Sequence, residues 1–239
     1  MMQNDELPSY SQQLLAGIAH ELKTPLTLIS GLSAELQEPS FGAAQFQQYV
    51  ERIQFSSDRM IGLVDSILRG YELQQEMLEL RLEPVNAELI MEEVAHELEP
   101  HAKKQAQLLS VRSKQKSSIL ADRGCLHAVL FNLLDNAIKY SDPESTIELE
   151  ARCRRGQAQL VVKDYGAGIK KSELKKLFAQ FGRVQRPVPQ WASTTGLGLY
   201  VARQLTEAMN GTLDLSRRRS GTSFLVNLQL SHQLNLFEL

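Results

Sequence analysis

With 239 residues, of which 43% are hydrophobic and 23% charged, the chain is long enough for one large domain or two modest ones around a real core. A formal net charge of -2 gives no electrostatic case for nucleic acid or an anionic membrane surface as a partner. No run approaches the roughly 18 consecutive apolar residues of a membrane helix, and Met1 to Glu6 lacks the basic and apolar regions of a signal peptide, so a cytoplasmic protein without membrane contact is expected.

Pro8 and Ser9 make a helix start, and a first helix is expected from there to Gln37, ended by Pro39 and Gly42. Its apolar positions Leu15, Ile18, Leu22, Pro25, Ile29, Leu32 and Leu36 fall on a seven-residue repeat, the a and d positions of a packed helix. Counting Leu15 as a puts His20 at f, pointing away from the seam, with Glu21 beside it and Thr24 one turn on. Pro25 lacks an N–H, leaves the Glu21 carbonyl without its helical partner and bends the helix past His20. Taken alone, an exposed helical histidine is compatible with an inert surface residue. So little chain precedes this helix that no input domain fits before it, and a fragment of a longer receptor is expected.

A second repeat runs through Phe46, Val50, Ile53, Ser57, Met60, Val64, Ile67 and Tyr71. Two such helices joined by the short link from Glu38 to Ala43 make an antiparallel hairpin. A hairpin gives each apolar stripe one partner and leaves part of it wet, so two hairpins are expected to close a four-helix bundle as a homodimer. Residues 1–75 are assigned to this hairpin and 76–84 to a linker.

From Val85 the pattern alternates between strand-like and helical runs, and an α/β sandwich with one mixed sheet is expected over residues 85–231. The order is a strand at Leu82–Val85, a helix from Ala87 to Gln105, strands at Leu108–Val111 and Ser118–Ala121, and a helix from Asp122, its cap, to Tyr140. Ile147, Leu149, Ala151 and Cys153 alternate with Glu148, Glu150 and Arg152, the mark of a strand buried on one face. Arg155-Gly156 turns it into a strand over Ala158–Asp164. A helix from about Ser172, an irregular stretch holding Pro187, Pro189 and Trp191, a helix after Gly196, and strands over Thr212–Ser216 and Thr222–Leu230 complete the order. Cys125 and Cys153 lack metal spacing and are expected to be reduced core thiols. His96 and His101 stand five apart, the wrong spacing for a helical metal pair, and read as a solvated face. Nothing is assigned to the tail, residues 232–239.

Four stretches of this second part have the chemistry of a phosphate-binding site. Asn132 and Asn136 lie one helical turn apart, where their carboxamide oxygens suit a hard cation such as Mg²⁺; Lys139 adds positive charge and Tyr140 follows it. Exposed amides on a helix are also common without any ligand. Asp164-Tyr165-Gly166-Ala167-Gly168 follows an apolar strand: Gly166 and Gly168 allow close backbone approach, and Asp164 can accept a hydrogen bond from an adenine amino group. Phe178 and Phe181 are candidates for ordinary core, and Arg183 for a phosphate contact or a solvated surface. Gly196, Leu197 and Gly198 precede a helix whose first N–H groups and dipole suit phosphate oxygens.

His20-Glu21-Leu22-Lys23-Thr24-Pro25 resembles the phosphoacceptor box of the sensor histidine kinases of two-component signalling. Asn132 to Tyr140 resembles their N box, Asp164 to Gly168 their first glycine box, Leu177 to Arg183 their F box and Thr194 to Leu199 their second glycine box. The resemblance spans nearly the whole chain. It implies a dimerisation and phosphotransfer hairpin followed by an ATP-binding domain of the type shared with gyrase, Hsp90 and MutL. By residue, it implies His20 as phosphoacceptor, Glu21 as its proton partner, Asn136 as the Mg²⁺ ligand, Lys139 and Tyr140 near the phosphates and Asp164 on adenine. It also implies a response regulator as phosphoryl recipient, and a phosphatase activity in which Thr24 positions a water. The family usually has a further glycine where this chain has Thr194. That departure motivates a second reading, a nucleotide-binding scaffold of weak catalytic power.

Overall fold

The structure, a computed structural model, describes residues 10–37, 43–74, 79–114, 118–169, 173–179, 182, 196–217 and 221–231. The chain divides into two compact units, Met1–Leu68 and Arg69–Leu239.

The first unit is a helical hairpin of α1 (Tyr10–Glu35) and α2 (Ala43–Gln74) up to Leu68, the rest of α2 falling in the second unit. The end of α1 meets the start of α2 where Tyr49 hydrogen-bonds Glu35, a contact that raises the Tyr49 phenol above its ordinary value. The helix continues through Pro25, which is buried together with Leu32 and, on α2, Ser56. Ser56 and Ser57 donate to the carbonyls of Arg52 and Ile53 at 2.8 and 3.0 Å, so the polar interruption of the second stripe is satisfied within its own helix. Among the described residues, two of the stripe stay wet in this single chain: Phe46 is 51% exposed and Val64 40%. The seven-residue pattern therefore overstates what one hairpin can bury, because one helix has too little surface to cover the other's stripe.

The first strand of the second unit is β1 (Glu83–Asn86), and Asn86 caps α3 (Ala87–Lys104) by accepting from the backbone N–H of Glu88 at 2.9 Å. β2 (Leu108–Ser113) and β3 (Ser118–Ala121) lead to α4 (Arg123–Tyr140). Asp122 caps α4 through the Cys125 N–H at 2.9 Å and also accepts from the Arg81 N–H at 3.0 Å. Burial pushes the Asp122 carboxyl up, but these N–H groups together hold it below its ordinary value, and they tie the chain at Arg81 to the start of α4. β4 (Thr146–Arg154) and β5 (Gln157–Lys163) form a hairpin at Arg155 and Gly156, both with positive φ, as a two-residue turn between twisted strands requires. The single turn α5 (Leu174–Leu177), α6 (Gly198–Ala208), β6 (Thr212–Arg217) and β7 (Thr222–Gln229) complete it.

Five strands make one mixed sheet in the order β2-β4-β5-β7-β6, with β2 parallel to β4 and the other pairs antiparallel. The expectation of one sheet is corrected in part: β1 and β3 form a separate antiparallel pair, linked to the large sheet by a bridge from Ile119 to Leu230. The core lies between sheet and helices, where Ile90, Leu130, Leu133, Ile147, Val226 and Leu205 are fully buried. Cys125 belongs to it, but Cys153 is exposed, against expectation, because β4 runs past the core at its last two residues. The helix expected from Ser172 is only Leu174–Leu177 among the described residues. The chain folds back there so tightly that a Cβ on Gly182 would lie 1.8 Å from the Lys176 carbonyl oxygen.

Candidate functional site

Four segments far apart in sequence converge in the second unit: α4, the loop after β5, the start of α6 and the start of β7. Glycine makes each approach possible. A Cβ on Gly198 would stand 2.7 Å from Asn132 Oδ1, so the start of α6 closes directly onto α4. A Cβ on Gly166 would stand 2.1 Å from the Tyr140 carbonyl oxygen, which seats the loop after β5 on the C-terminal end of α4. Gly168, at φ +70°, packs against the backbone of Gly221, and a Cβ on Gly221, at φ +84°, would fall 1.9 Å from the Asp164 carbonyl oxygen.

Asp164 is the fixed centre of this arrangement. Only 5% exposed, it extends the β5–β7 ladder by one pair: its N–H donates to the Thr222 carbonyl at 2.9 Å and its own carbonyl accepts from the Thr222 N–H at 3.2 Å. The carboxylate is anchored as well, Oδ1 accepting from the N–H groups of Gly166 at 3.1 Å and Thr222 at 3.0 Å. A buried carboxylate held by two backbone donors is a rigid acceptor, suited to reading a hydrogen-bond donor on a flat ligand.

On α4, Asn132 and Asn136 use their amides in the same way: Asn132 Nδ2 donates to the Ala128 carbonyl and Asn136 Nδ2 to the Asn132 carbonyl, both at 2.8 Å. The hydrogen bond that holds Asn136 engages one of its two amide N–H groups and orients the side chain, whose carboxamide oxygen is the ligand type Mg²⁺ takes. The residues present thus fit a hard cation. Lys139, expected beside phosphates, is ion-paired with Asp135 one turn back and mostly buried. Half-buried Tyr140 ends the helix. Gly196 has φ +70° and leads through Leu197, which supplies no side-chain cap, into α6 at Gly198; the positive end of a helix dipole is suited to phosphate oxygens. Phe178 meets Phe224 edge to face at 6.5 Å, with the Arg203 guanidinium 5.6 Å from its ring centre, so it packs at the edge of the core.

In the hairpin, His20 and Glu21 lie on α1 and Thr24 is exposed one turn beyond. The side chains of His20 and Glu21, and Phe181, Arg183 and Thr194 altogether, lie outside the described residues. Among the described residues, no group of three His, Cys, Asp or Glu is placed to hold a metal, and no helix is long and apolar enough to cross a membrane.

Sequence reasoning missed two parts of the site. One is the Gly221-Thr222 step that holds Asp164, 58 residues further along the chain. The other is a charged network on the outer sheet face, described below. Glycine before a β-branched residue at a strand start is the only signal of the first.

Two family models match the chain: the His Kinase A (phospho-acceptor) domain over residues 10–76, and the histidine kinase-, DNA gyrase B-, and HSP90-like ATPase over residues 121–232. Among curated relatives, the circadian input-output histidine kinase CikA of Synechococcus elongatus is 30% identical over 220 residues, which is 90% of this chain and 29% of that protein. The chain thus spans less than a third of that relative's length. Among solved structures, ShkA in complex with AMPPNP superposes with a TM-score of 0.66 at 24% identity, covering 91% of this chain and 46% of ShkA. The complex of histidine kinase ThkA with response regulator protein TrrA gives 0.65 at 21% identity, covering 90% of this chain and 60% of that one. At these identities the superpositions establish the fold.

Proposed function

The chain belongs to the sensor histidine kinases, and from that premise we propose that it is an ATP-dependent protein-histidine kinase that phosphorylates its own His20 and passes the phosphoryl group to an aspartate of a response regulator. One observation carries the reading: the anchored Asp164 carboxylate, the Asn132–Asn136 turn and the start of α6 meet in one unit of a chain whose other unit matches the phosphoacceptor family. Asp164 receives the adenine amino group. The first N–H groups of α6 and Lys139 face phosphate, and Lys139 is held by Asp135 until a triphosphate competes for it. Asn136, supported by Asn132, would hold Mg²⁺, which neutralises phosphate charge when bound.

In the reaction an imidazole nitrogen of His20 forms a bond to the γ-phosphorus, the bond from that phosphorus to the β–γ bridging oxygen breaks, and ADP leaves with the electron pair. Glu21 accepts or orients the proton on the other ring nitrogen. The resulting phosphoramidate is a reactive donor, and its transfer to a carboxylate regenerates the imidazole. A receiver domain as partner is supported by the solved pairing of ThkA with TrrA, and a homodimer by the wet apolar residues of the hairpin.

Thr24, exposed on the same helical face as His20, positions a water for the reverse duty of dephosphorylating the regulator. Chain labelled from γ-labelled ATP and mixed with a receiver domain should surrender its label to that domain. Thr24→Ala should keep autophosphorylation within about twofold while regulator dephosphorylation falls about tenfold. Equal loss of both rates would remove the phosphatase assignment.

A further inference from the structure

Lys163 and Tyr165 flank Asp164, and because side chains alternate along an extended segment they lie together on the sheet face opposite to it. Both are tied to β4. Lys163 Nζ donates to Glu148 Oε2 at 3.0 Å and to Glu150 Oε2 at 2.9 Å, and the Tyr165 hydroxyl donates to Glu148 Oε1 at 2.6 Å. Glu148 stands directly across from Lys163 in the β4–β5 register, with Glu150 two residues along. Lys114 closes the row, its Nζ 2.9 Å from Glu150 Oε1. Although Glu150 is on the face that alternation assigns to solvent, it is only 5% exposed. Lys114 and Lys163 hold its carboxyl down to about 2 against the opposing effect of burial, so it stays ionised at any physiological pH.

Asp164 is therefore gripped from two sides. On the β7 side Thr222 fixes its backbone and carboxylate; on the β4 side its two neighbours are fixed through their side chains. A carboxylate distinguishes an amino group from a carbonyl on a ring only if its acceptor oxygen cannot turn aside, since a carbonyl facing it is otherwise avoided by a small rotation.

We propose that the row Lys114–Glu150–Lys163–Glu148–Tyr165 is a positioning device that fixes the direction of the Asp164 carboxylate and so sets the preference of the site for 6-aminopurine over 6-oxopurine nucleotides. The inference rests on the reading of Asp164 as the base-recognition residue. Their role is to act through the backbone on either side of Asp164, not as base-recognition groups themselves.

The test is equilibrium binding of ATP and of ITP, its 6-oxo counterpart, to the full chain and to its Tyr165→Phe and Glu148→Gln variants, with the nucleotide-free thermal midpoint of each. The parent should prefer ATP. In both variants ATP affinity should fall about tenfold while ITP affinity stays within about twofold, so the preference collapses. Lys163→Arg, which retains the charge and the donors, should keep it. Variants that retain the parental ATP-to-ITP ratio would overturn the proposal, whether or not their midpoints drop, because a merely stabilising network lowers both affinities together. A parent with no preference for ATP would instead overturn the reading of Asp164 itself, and the positioning role with it.

Discussion

The two units of this chain solve the problem of apolar burial differently. In the α/β unit, side chains from three helices and the large sheet reach complete burial, as Ile90, Leu130 and Val226 show. In the hairpin, the described side chains that are buried come down to Pro25, Leu32 and Ser56, while Leu26, Phe46 and Ile61 are 50%, 51% and 61% exposed. A sheet with helices against it closes around its own core, whereas two helices cannot enclose anything. On the proposed function, the nucleotide-binding unit closes its core within one chain, whereas the hairpin that carries His20 leaves apolar surface for a second copy.

The sharpest way to break the α/β side of this contrast is Gly221→Ala. At φ +84° and with a Cβ 1.9 Å from the Asp164 carbonyl oxygen, the variant must move backbone, and a loss of about 3 kcal/mol or more is expected, together with nucleotide binding. Thermal unfolding and nucleotide titration measure both, and the association of hairpins should be untouched. On the hairpin side, Phe46→Glu or Val64→Glu places a charge where a partner helix is needed. The dimer dissociation constant should rise about 100-fold, read by sedimentation, with nucleotide affinity unchanged. A monomeric parent would end the claim that the hairpin is incomplete.

A smaller effect separates the units by pH. Glu150 has its carboxyl lowered from an ordinary 4.5 to about 2 by Lys114 and Lys163, and Glu148 is lowered by Tyr165 and Lys163. Groups with depressed values stabilise the fold above their unfolded pKa and lose that contribution as the pH falls through the folded one. Lys163 is raised despite its burial, so its contribution is complete below the ordinary lysine value and lost only in strong base. Stability of the α/β unit from this network should therefore be flat from about pH 5 to 10 and decline on the acid side between about 4.5 and 2. Glu150→Gln should lower stability at pH 7 by about 1–2 kcal/mol and remove part of that acid limb.

The sequence made some of this legible and concealed the rest for identifiable reasons. Asp122 announces α4 because a carboxylate before a helical run has one obvious use, and the structure has it accepting from Cys125. The alternation of Ile147, Leu149 and Ala151 with Glu148, Glu150 and Arg152 reveals β4, but not that Glu150 is covered. That depends on Lys163 and Lys114, which enter by strand register and by the path of the chain beyond β2. The Gly-x-Gly after Asp164 marks a turn, yet its partner is Thr222, and pairing across so many residues is invisible in one sequence. Phe46 fits the heptad of α2 and is exposed in the single chain, since periodicity reports which face wants burial and not whether anything covers it.

The central claim is that His20 takes a phosphoryl group from a nucleotide held by the other unit. It is tested most directly by incubating the chain and its His20→Gln variant with γ-labelled ATP and Mg²⁺, after showing that both bind ADP equally. The account predicts an acid-labile, base-stable label on the parent, and a loss of about 1,000-fold or more in the variant with ADP affinity unchanged. Label of equal amount on the variant, or no label on a parent that binds ATP, would contradict it.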